Sequence, residues 1–120
     1  MTARDDRGLI PEAGDLVYVT FDPAFGREQS GERPGLVLSP EAYNRNSSFA
    51  LVCPITSSPK PWPFKFDLGS AYRVSGFVLV DQIKSIDRGR LLRVADRADE
   101  ASVRKAQAML IGLLNIPSGQ

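Results

Sequence analysis

The chain has 120 residues, of which 15 are Lys or Arg and 14 are Asp or Glu, so its formal net charge is +1. A composition of 42% hydrophobic and 24% charged residues is typical of one folded domain, and it excludes wholesale disorder and a histone-like polycation. One cysteine and no histidine exclude a disulfide framework, a Cys/His zinc site and acid–base chemistry by histidine.

The polar N-terminus shows no signal peptide, and no apolar run approaches the ~20 residues of a membrane span. We therefore expect a cytoplasmic protein with no membrane partner. Residues 1–13 carry charges at the start and a proline near the end, which predicts a flexible leader before a single domain over residues 14–116. Residues 117–120 are left as a C-terminal tail.

The first half of the domain predicts strands separated by one long loop. Asp15 to Phe21 is β-branched and aromatic, as in a strand, whereas residues 22–32 contain prolines and glycines that end it. A loop of this length exceeds the usual ~4–6 residues and is often functional. A second strand is predicted from Arg33 to Ser39, and Ser39 is a candidate N-cap for a short helical turn over residues 40–46.

The second half predicts further strands and then one helix. The predicted strands are Ser48 to Ile55, Phe64 to Leu68, Gly76 to Val80, Lys84 to Ile86 and Leu91 to Val94. After Asp99, a candidate N-cap, the spacing of the apolar residues changes to that of a helix. One face of this helix carries Val103, Ala106, Leu110, Leu113 and Leu114. This order predicts a mainly β fold, antiparallel and closed by a C-terminal helix.

Basic residues concentrate in one stretch, at Lys84, Arg88, Arg90, Arg93 and Arg97. Arginine outnumbers lysine 11 to 4 in the chain, which favours forked recognition of phosphate or carboxylate. The alternative is that these side chains only solubilise a strand and its flanks.

The long loop ends in Glu28-Gln29-Ser30-Gly31-Glu32-Arg33-Pro34. Glu28 and Arg33 are five positions apart with a glycine between them, so their carboxylate and guanidinium can meet at the rim of a sheet. The same residues also fit an ordinary hairpin connection.

Several segments in one collinear order resemble the MazF/PemK/Kid-type toxins, the ribonuclease toxins of type II toxin–antitoxin systems. These segments are Gly14-Asp15-Leu16-Val17, Phe21-Asp22-Pro23, the stretch from Gly26 to Pro34, Val37-Leu38-Ser39-Pro40, Tyr43-Asn44, Val52-Cys53-Pro54-Ile55-Thr56-Ser57, Pro63-Phe64 and the stretch from Gly76 to Asp87. Each motif alone is weak, but the ordered set covers nearly the whole domain.

The resemblance implies a small SH3-like, PemK-type antiparallel β-barrel with a C-terminal helix. It also implies a homodimer that cleaves single-stranded RNA at a short sequence without a metal ion or other cofactor. In such cleavage the ribose 2′-OH attacks the adjacent phosphate and leaves 2′,3′-cyclic phosphate and 5′-OH ends. The expected partners are messenger RNA and a MazE-like antitoxin.

The resemblance also assigns roles to residues. Arg33 matches the arginine at the scissile phosphate, Thr56 the hydroxyl that supports it, and Glu28 a carboxylate proposed as base in some members. Because a guanidinium with a pKa above ~12 hardly releases its proton, we assign Arg33 to electrostatic stabilisation. A salt bridge of Arg33 to Glu28 or Glu32, and a strand-end cap by Thr56, are the structural alternatives. Substrate contacts are expected from Arg27, Gln29, Ser57, Asp81, Gln82, Lys84 and Arg88.

Two departures from the family pattern limit the role of Asp81. Some relatives have a histidine at Arg27, and some have an arginine at Leu79 and use the aspartate at Asp81 as a base. With no arginine at Leu79, we interpret Asp81 as a substrate contact or a structural carboxylate.

Trp62, between two prolines, either stacks on a base or anchors a partner, or it covers the end of the barrel. Cys53 lies in an apolar strand and is expected to be an inert buried thiol.

Two alternative functions remain, a gyrase-poisoning toxin on the same fold and a generic SH3-like binding module. The first is disfavoured because the chain has no tryptophan near its C-terminus.

Overall fold

The computed structural model describes residues 2–20 and 31–115. A short hairpin opens the chain, in which β1 (Ala3–Asp5) pairs with antiparallel β2 (Gly8–Ile10). Leu9 and Ile10 are only 4% and 2% exposed, because the hairpin packs its apolar end onto the domain. The expectation of a flexible leader over residues 1–13 is therefore wrong for this segment.

One antiparallel sheet makes up most of the domain. Its strands are β3 (Asp15–Thr20), β4 (Glu32–Val37), β5 (Phe49–Thr56), β6 (Lys65–Asp67), β7 (Phe77–Leu79), β8 (Lys84–Asp87) and β9 (Leu91–Arg97). Their order is β6-β7-β5-β4-β3-β9, and β8 also pairs with β5. The prediction of a mainly antiparallel β fold is confirmed.

The sheet forks and does not close into the predicted barrel. One edge of β5 is shared between two strands, since its N-terminal half pairs with β8 and its last two residues pair with β7. Over the described part of the chain, no ladder joins the outer strands β6 and β9.

Two helices accompany the sheet, α1 (Glu41–Asn46) and α2 (Glu100–Leu114). Asp99 is the N-cap of α2, as predicted, and its carboxylate accepts a 2.9 Å hydrogen bond from the Ser102 amide. The N-cap of α1 is Pro40 and not Ser39. The Ser39 hydroxyl is instead buried, where it donates to Asn44 Oδ1 and accepts from the Leu51 amide.

Both faces of the sheet are packed, because alternate residues of the central strands point to opposite sides. One cluster contains Leu16, Leu36 and Cys53 beneath α2, whose Ala106 is fully buried; the other contains Val17, Val37 and Val52. Among residues 2–20 and 31–115, no helix has the length and apolarity to cross a membrane.

Candidate active site

A groove opens where the start of β4 meets the end of β5. The two strands pair with Gly35 opposite Pro54, and continuing this antiparallel register places Arg33 opposite Thr56. The groove has a volume of about 550 Å³, and Arg33, Thr56, Ser57 and Gln82 are among the residues that line it. The fold thus brings together four residues that the sequence assigned to catalysis or substrate binding.

Thr56 is the last residue of β5 and is half-buried at the floor of this groove. Its hydroxyl accepts a 3.2 Å hydrogen bond from the Ser58 amide, so it does cap the strand end. A hydroxyl has one proton to donate besides its lone pairs, and that proton remains available for a bound oxyanion. The structural and the functional interpretation of Thr56 are therefore compatible.

Gly76 allows a neighbouring loop to close over Thr56. Its φ is +131°, and a Cβ built on it would lie 2.6 Å from the Thr56 carbonyl oxygen. Only glycine fits a position with this backbone conformation and this close an approach.

Arg33 is exposed at the rim of the groove. The sequence allows a salt bridge to Glu32, but Glu32 bonds instead to Arg93, with 2.8 Å between Arg93 Nη2 and Glu32 Oε1. Within the described ranges, no carboxylate pairs with the Arg33 guanidinium. Its charge is therefore not neutralised by any described acidic side chain.

A second groove of about 270 Å³ adjoins the first and shares Thr56 and Gln82 with it. Trp62, 49% exposed, stands at this second groove and packs edge-on against Phe64, with ring centroids 6.0 Å apart. About half of the Trp62 surface thus packs against the protein and the other half is open, so this exposure is compatible both with covering the end of the sheet and with binding a base or a partner.

Asp81 also lines the second groove. Its Oδ1 is buried and, among the described residues, has no hydrogen-bond partner, which is costly for a carboxylate oxygen. The negative charge also adds to the effect of burial on the adjacent Cys53 thiol, whose pKa is raised to about 12. The prediction that Cys53 is an inert buried thiol is consistent with this pKa and with its complete burial.

The predicted basic stretch is largely occupied by contacts within the protein. Arg97 pairs with Asp15 at 2.8 Å, and Arg93 pairs with Glu32. Lys84 is exposed on the far side of Arg33, where the two residues line one small cavity.

The assignment of Arg88 to substrate binding is wrong. Its side chain is 0% exposed and forms a two-pronged ion pair with Asp5, and it also donates to the carbonyl oxygens of Gly8, Leu9 and Ser47. Arg88 thus fastens the N-terminal hairpin to the turn between β8 and β9. The Asp5 carboxylate has a pKa below its ordinary value because it accepts hydrogen bonds from this guanidinium.

Three of the predicted site residues, Arg27, Glu28 and Gln29, lie outside the described residues. Ser75 also lines the main groove together with Thr56, and no motif in the sequence pointed to it. Ser75 belongs to a loop that folds back onto the site. Two hydrogen bonds attach that loop to the end of β9 and the start of α2. The Arg73 amide donates to the Asp96 carboxylate, and the Asp99 amide donates to the Tyr72 hydroxyl.

A family model for the PemK-like, MazF-like toxin of type II toxin–antitoxin systems matches residues 12–114. The chain belongs to this toxin family. It is 40% identical over 107 residues to the endoribonuclease toxin MazF of Escherichia coli (strain K12), and the match covers 86% of this chain and 96% of that relative. It is 30% identical over 111 residues to endoribonuclease EndoA of Bacillus subtilis (strain 168), with 88% and 96% covered.

Solved structures agree with this assignment. MazF in a MazE–MazF crystal structure (Form-II) from Deinococcus radiodurans superposes with a TM-score of 0.82 at 40% identity, and covers 90% of this chain and 98% of that one. MazF (Form-I) from the same organism gives a TM-score of 0.77 at 40% identity, with 89% and 98% covered. The prediction of an endoribonuclease toxin is confirmed, and the gyrase-poisoning alternative has no support among these relatives.

Proposed function

We propose that this toxin cleaves single-stranded RNA at a short recognised sequence, in the groove between Arg33 and Thr56, without a metal ion. The observation that carries the proposal is a guanidinium that no described carboxylate engages, in the same open groove as a hydroxyl with a proton to donate. A phosphodiester fits this arrangement, because its negative charge and its oxygens match the two kinds of donor.

In the proposed reaction, the ribose 2′ oxygen forms a bond to the adjacent phosphorus and the bond from phosphorus to the 5′ oxygen breaks. The 2′ proton leaves with a general base, and the leaving oxygen takes a proton from water. The products carry a 2′,3′-cyclic phosphate and a 5′-OH. Arg33 stabilises the charge that develops on the phosphorane oxygens, and Thr56 donates a hydrogen bond to one of them. Glu28 is our candidate for the base.

The proposal that no metal takes part is supported by the available side chains. The chain has no histidine, and the described residues hold no group of three or more acidic or cysteine side chains that could bind a metal ion. Positive charge at the phosphate is instead supplied by arginine, which remains protonated throughout the reaction.

The second groove is a candidate for a neighbouring nucleotide. Trp62 offers an exposed ring face on which a base can stack. Asp81 lines the same groove, and a turn of its carboxylate would bring the oxygen that no described residue satisfies to a base amino group, from which it can accept a hydrogen bond. Ser57, Gln82, Lys84, Arg27 and Gln29 complete the proposed set of RNA contacts.

We also propose a homodimer that a MazE-like antitoxin silences in the cytoplasm, where messenger RNA is found. Support comes from the MazE–MazF complex to which the chain is similar and from exposed apolar side chains at the end of α2, with Ile111 56% and Leu114 61% exposed. Sedimentation should find a dimer at micromolar concentration. An antitoxin segment and a non-cleavable RNA should compete for binding, and simultaneous binding of both would contradict the proposed mode of inhibition.

The deciding experiment maps the cut sites of the purified protein on a long RNA in excess EDTA. We expect cuts at one short sequence, with cyclic phosphate and 5′-OH ends. Deoxyribose on the 5′ side of the cut should block cleavage because it removes the nucleophile. Continued cleavage of that substrate at the same bond would make water the nucleophile.

Arg33→Ala should lower the rate by about 10²–10³-fold, the usual cost of removing one donor to a transition state. Arg104→Ala is the matched control, since Arg104 forms an exposed ion pair with Glu100 on α2, outside the two grooves. Near-normal cleavage by the Arg33 variant would remove Arg33 from the mechanism, and an absolute need for added Mg²⁺ would contradict the metal-free reaction.

A further inference from the structure

Arg93 makes an exposed contact that spans three strands next to the catalytic groove. It lies on β9 opposite Tyr18 of β3, and its guanidinium carbon is 4.5 Å from the centre of the Tyr18 ring. Its Nη2 continues across β3 to Glu32 Oε1 of β4, at 2.8 Å. Tyr18, Arg93 and Glu32 therefore form one chain of contacts from β9 to β4, which we call the clasp.

The clasp ends at the residue next to Arg33. The β3–β4 ladder ends, before residues 21–30, with the pairs Arg33–Val19 and Glu32–Thr20. Ladder ends are the least stable part of a sheet and open first. Because consecutive strand residues point to opposite faces, a bond at Glu32 on one face holds the backbone from which Arg33 extends on the other.

We infer that Arg93 and Glu32 are positioning residues for cleavage, and that the clasp holds the first residues of β4 so that the Arg33 guanidinium stays at the phosphate position. This inference rests on the proposed RNA cleavage and adds two residues to it, Glu32 at the edge of the groove and Arg93 outside the groove lining. An arginine suits the role because its planar fork can stack on Tyr18 and bond to a carboxylate at the same time.

The charge state of the pair agrees with the geometry. The hydrogen bond from Arg93 holds the pKa of Glu32 below its ordinary value, and the same bond raises the pKa of Arg93. Both groups are thus charged at neutral pH, as an ion pair between them requires.

Arg93 could otherwise be an RNA contact, since its side chain is 54% exposed. The two roles predict opposite effects for Glu32. If Arg93 acts through Glu32, removing the Glu32 charge harms catalysis. If Arg93 binds phosphate, removing that charge frees the guanidinium and strengthens RNA binding.

The test measures steady-state cleavage of a short RNA that contains the mapped cut site, for Arg93→Ala, Glu32→Gln and the double variant. We expect each single change to lower kcat by about 10-fold with KM changed less than about 2-fold, since small misplacement of a catalytic group is costly. The double variant should be no slower than Arg93→Ala, and Arg93→Lys should recover part of the loss. Arg104→Ala, which removes an equally charged and exposed ion-paired arginine, should leave both constants unchanged.

Two further measurements separate the outcomes. Hydrogen exchange of the amides over residues 32–37 should speed up in Arg93→Ala and not in Arg104→Ala. The dependence of log KM on log salt should be the same in both variants. A slope reduced by about 0.7 in Arg93→Ala, together with a lower KM in Glu32→Gln, would identify Arg93 as a phosphate contact and overturn the clasp.

Rates for Arg93→Ala and Glu32→Gln that match Arg104→Ala would also overturn it. Failure of the unmodified protein to cleave RNA would instead contradict the proposed function.

Discussion

Replacing Arg88 by alanine tests whether this fully buried arginine is structural. Its guanidinium donates at 3.1 Å to the Gly8 carbonyl oxygen, at 3.0 Å to Leu9 and at 3.2 Å to Ser47, besides its ion pair with Asp5. Alanine would leave these three carbonyl groups without their donor and would open a space where a large side chain is now packed.

The cost of this change can be worked out from those contacts. An unsatisfied buried carbonyl costs about 1–3 kcal/mol. The ion pair adds less than a fully buried pair would, because the Asp5 side chain is 32% exposed and water can solvate its carboxylate once Arg88 is gone. Water can enter the space that the side chain leaves, so these contributions do not add. We expect the free energy of unfolding to fall by about 3–5 kcal/mol in total, out of the ~5–15 kcal/mol that stabilise a typical domain.

Urea unfolding followed by far-UV circular dichroism measures this loss. All samples need one protein concentration, because the stability of a dimer depends on it. Arg104→Ala is the matched control, since its exposed pair with Glu100 should contribute only about 0–1 kcal/mol. If Arg88→Ala does not fold, Arg88→Lys can be used instead, because lysine keeps the positive charge but lacks the planar guanidinium with its several donors. Hydrogen exchange of the amides over residues 3–10 should then be faster in Arg88→Lys than in the parent protein.

An Arg88→Ala protein within about 1 kcal/mol of the parent, with the hairpin amides still protected, would refute the reasoning. A variant that kept its stability but bound RNA more weakly would restore the role that the sequence suggested for this arginine.

Four other changes test the site and its support. Thr56→Val should lower kcat by about 10²-fold, with Thr56→Ser recovering most of it, as measured by RNA cleavage. Gly76→Ala should lower both kcat and Tm, because its φ of +131° and the Thr56 carbonyl oxygen 2.6 Å from the new Cβ both resist a side chain. Cys53 should resist iodoacetamide at pH 8 in the folded protein, because it is buried and its pKa is about 12; rapid alkylation would contradict this. Hydrogen bonds from Ser102 lower the pKa of Asp99 in the folded protein. The ionised Asp99 therefore stabilises α2 at pH values above its ordinary pKa of 3.8, and this stabilisation should be lost as the pH falls below that value. Thermal unfolding at several pH values measures the loss.

Local patterns predicted most of the secondary structure. The strands are β-branched runs, and α2 begins where the spacing of apolar residues changes and where Asp99 can cap it, so residues close in sequence were enough to predict these elements. The Ser39 cap was wrong by one residue because its hydroxyl bonds to Asn44 and Leu51 instead. That outcome depends on a strand that follows later in the chain.

The errors in the fold concern contacts between distant segments. The hairpin over residues 3–10 looks charged and loose, yet it is ordered by Arg88, about 80 residues later. No local pattern shows that a charged side chain will be buried, since arginine is ordinarily exposed. The forking of β5 between β7 and β8 is likewise a choice among partners that the strands alone do not determine.

At the site, the resemblance predicted the convergence of Arg33 and Thr56, which lie 23 positions apart in the chain and line the same groove. It did not predict Ser75. This residue reaches the groove because its loop is anchored from below by bonds to Asp96 and Asp99, and because Gly76 lets it approach Thr56. The separation between Ser75 and its anchors hides this arrangement from the sequence.

Among the described residues, some arginines form ion pairs with a carboxylate and Arg33 does not. Arg88, Arg93 and Arg97 are each bonded to an acidic side chain, and they serve the hairpin, the start of β4 and the base of β3 respectively. Arg33 has no such partner among the described residues, although Glu32 is its neighbour in sequence, because Arg93 has already engaged that carboxylate. A phosphodiester can therefore bind Arg33 without first breaking an ion pair to a described residue. With a net charge of only +1, the chain attracts RNA weakly at long range, so recognition must depend on this localised charge and on the shape of the groove rather than on a general cationic surface.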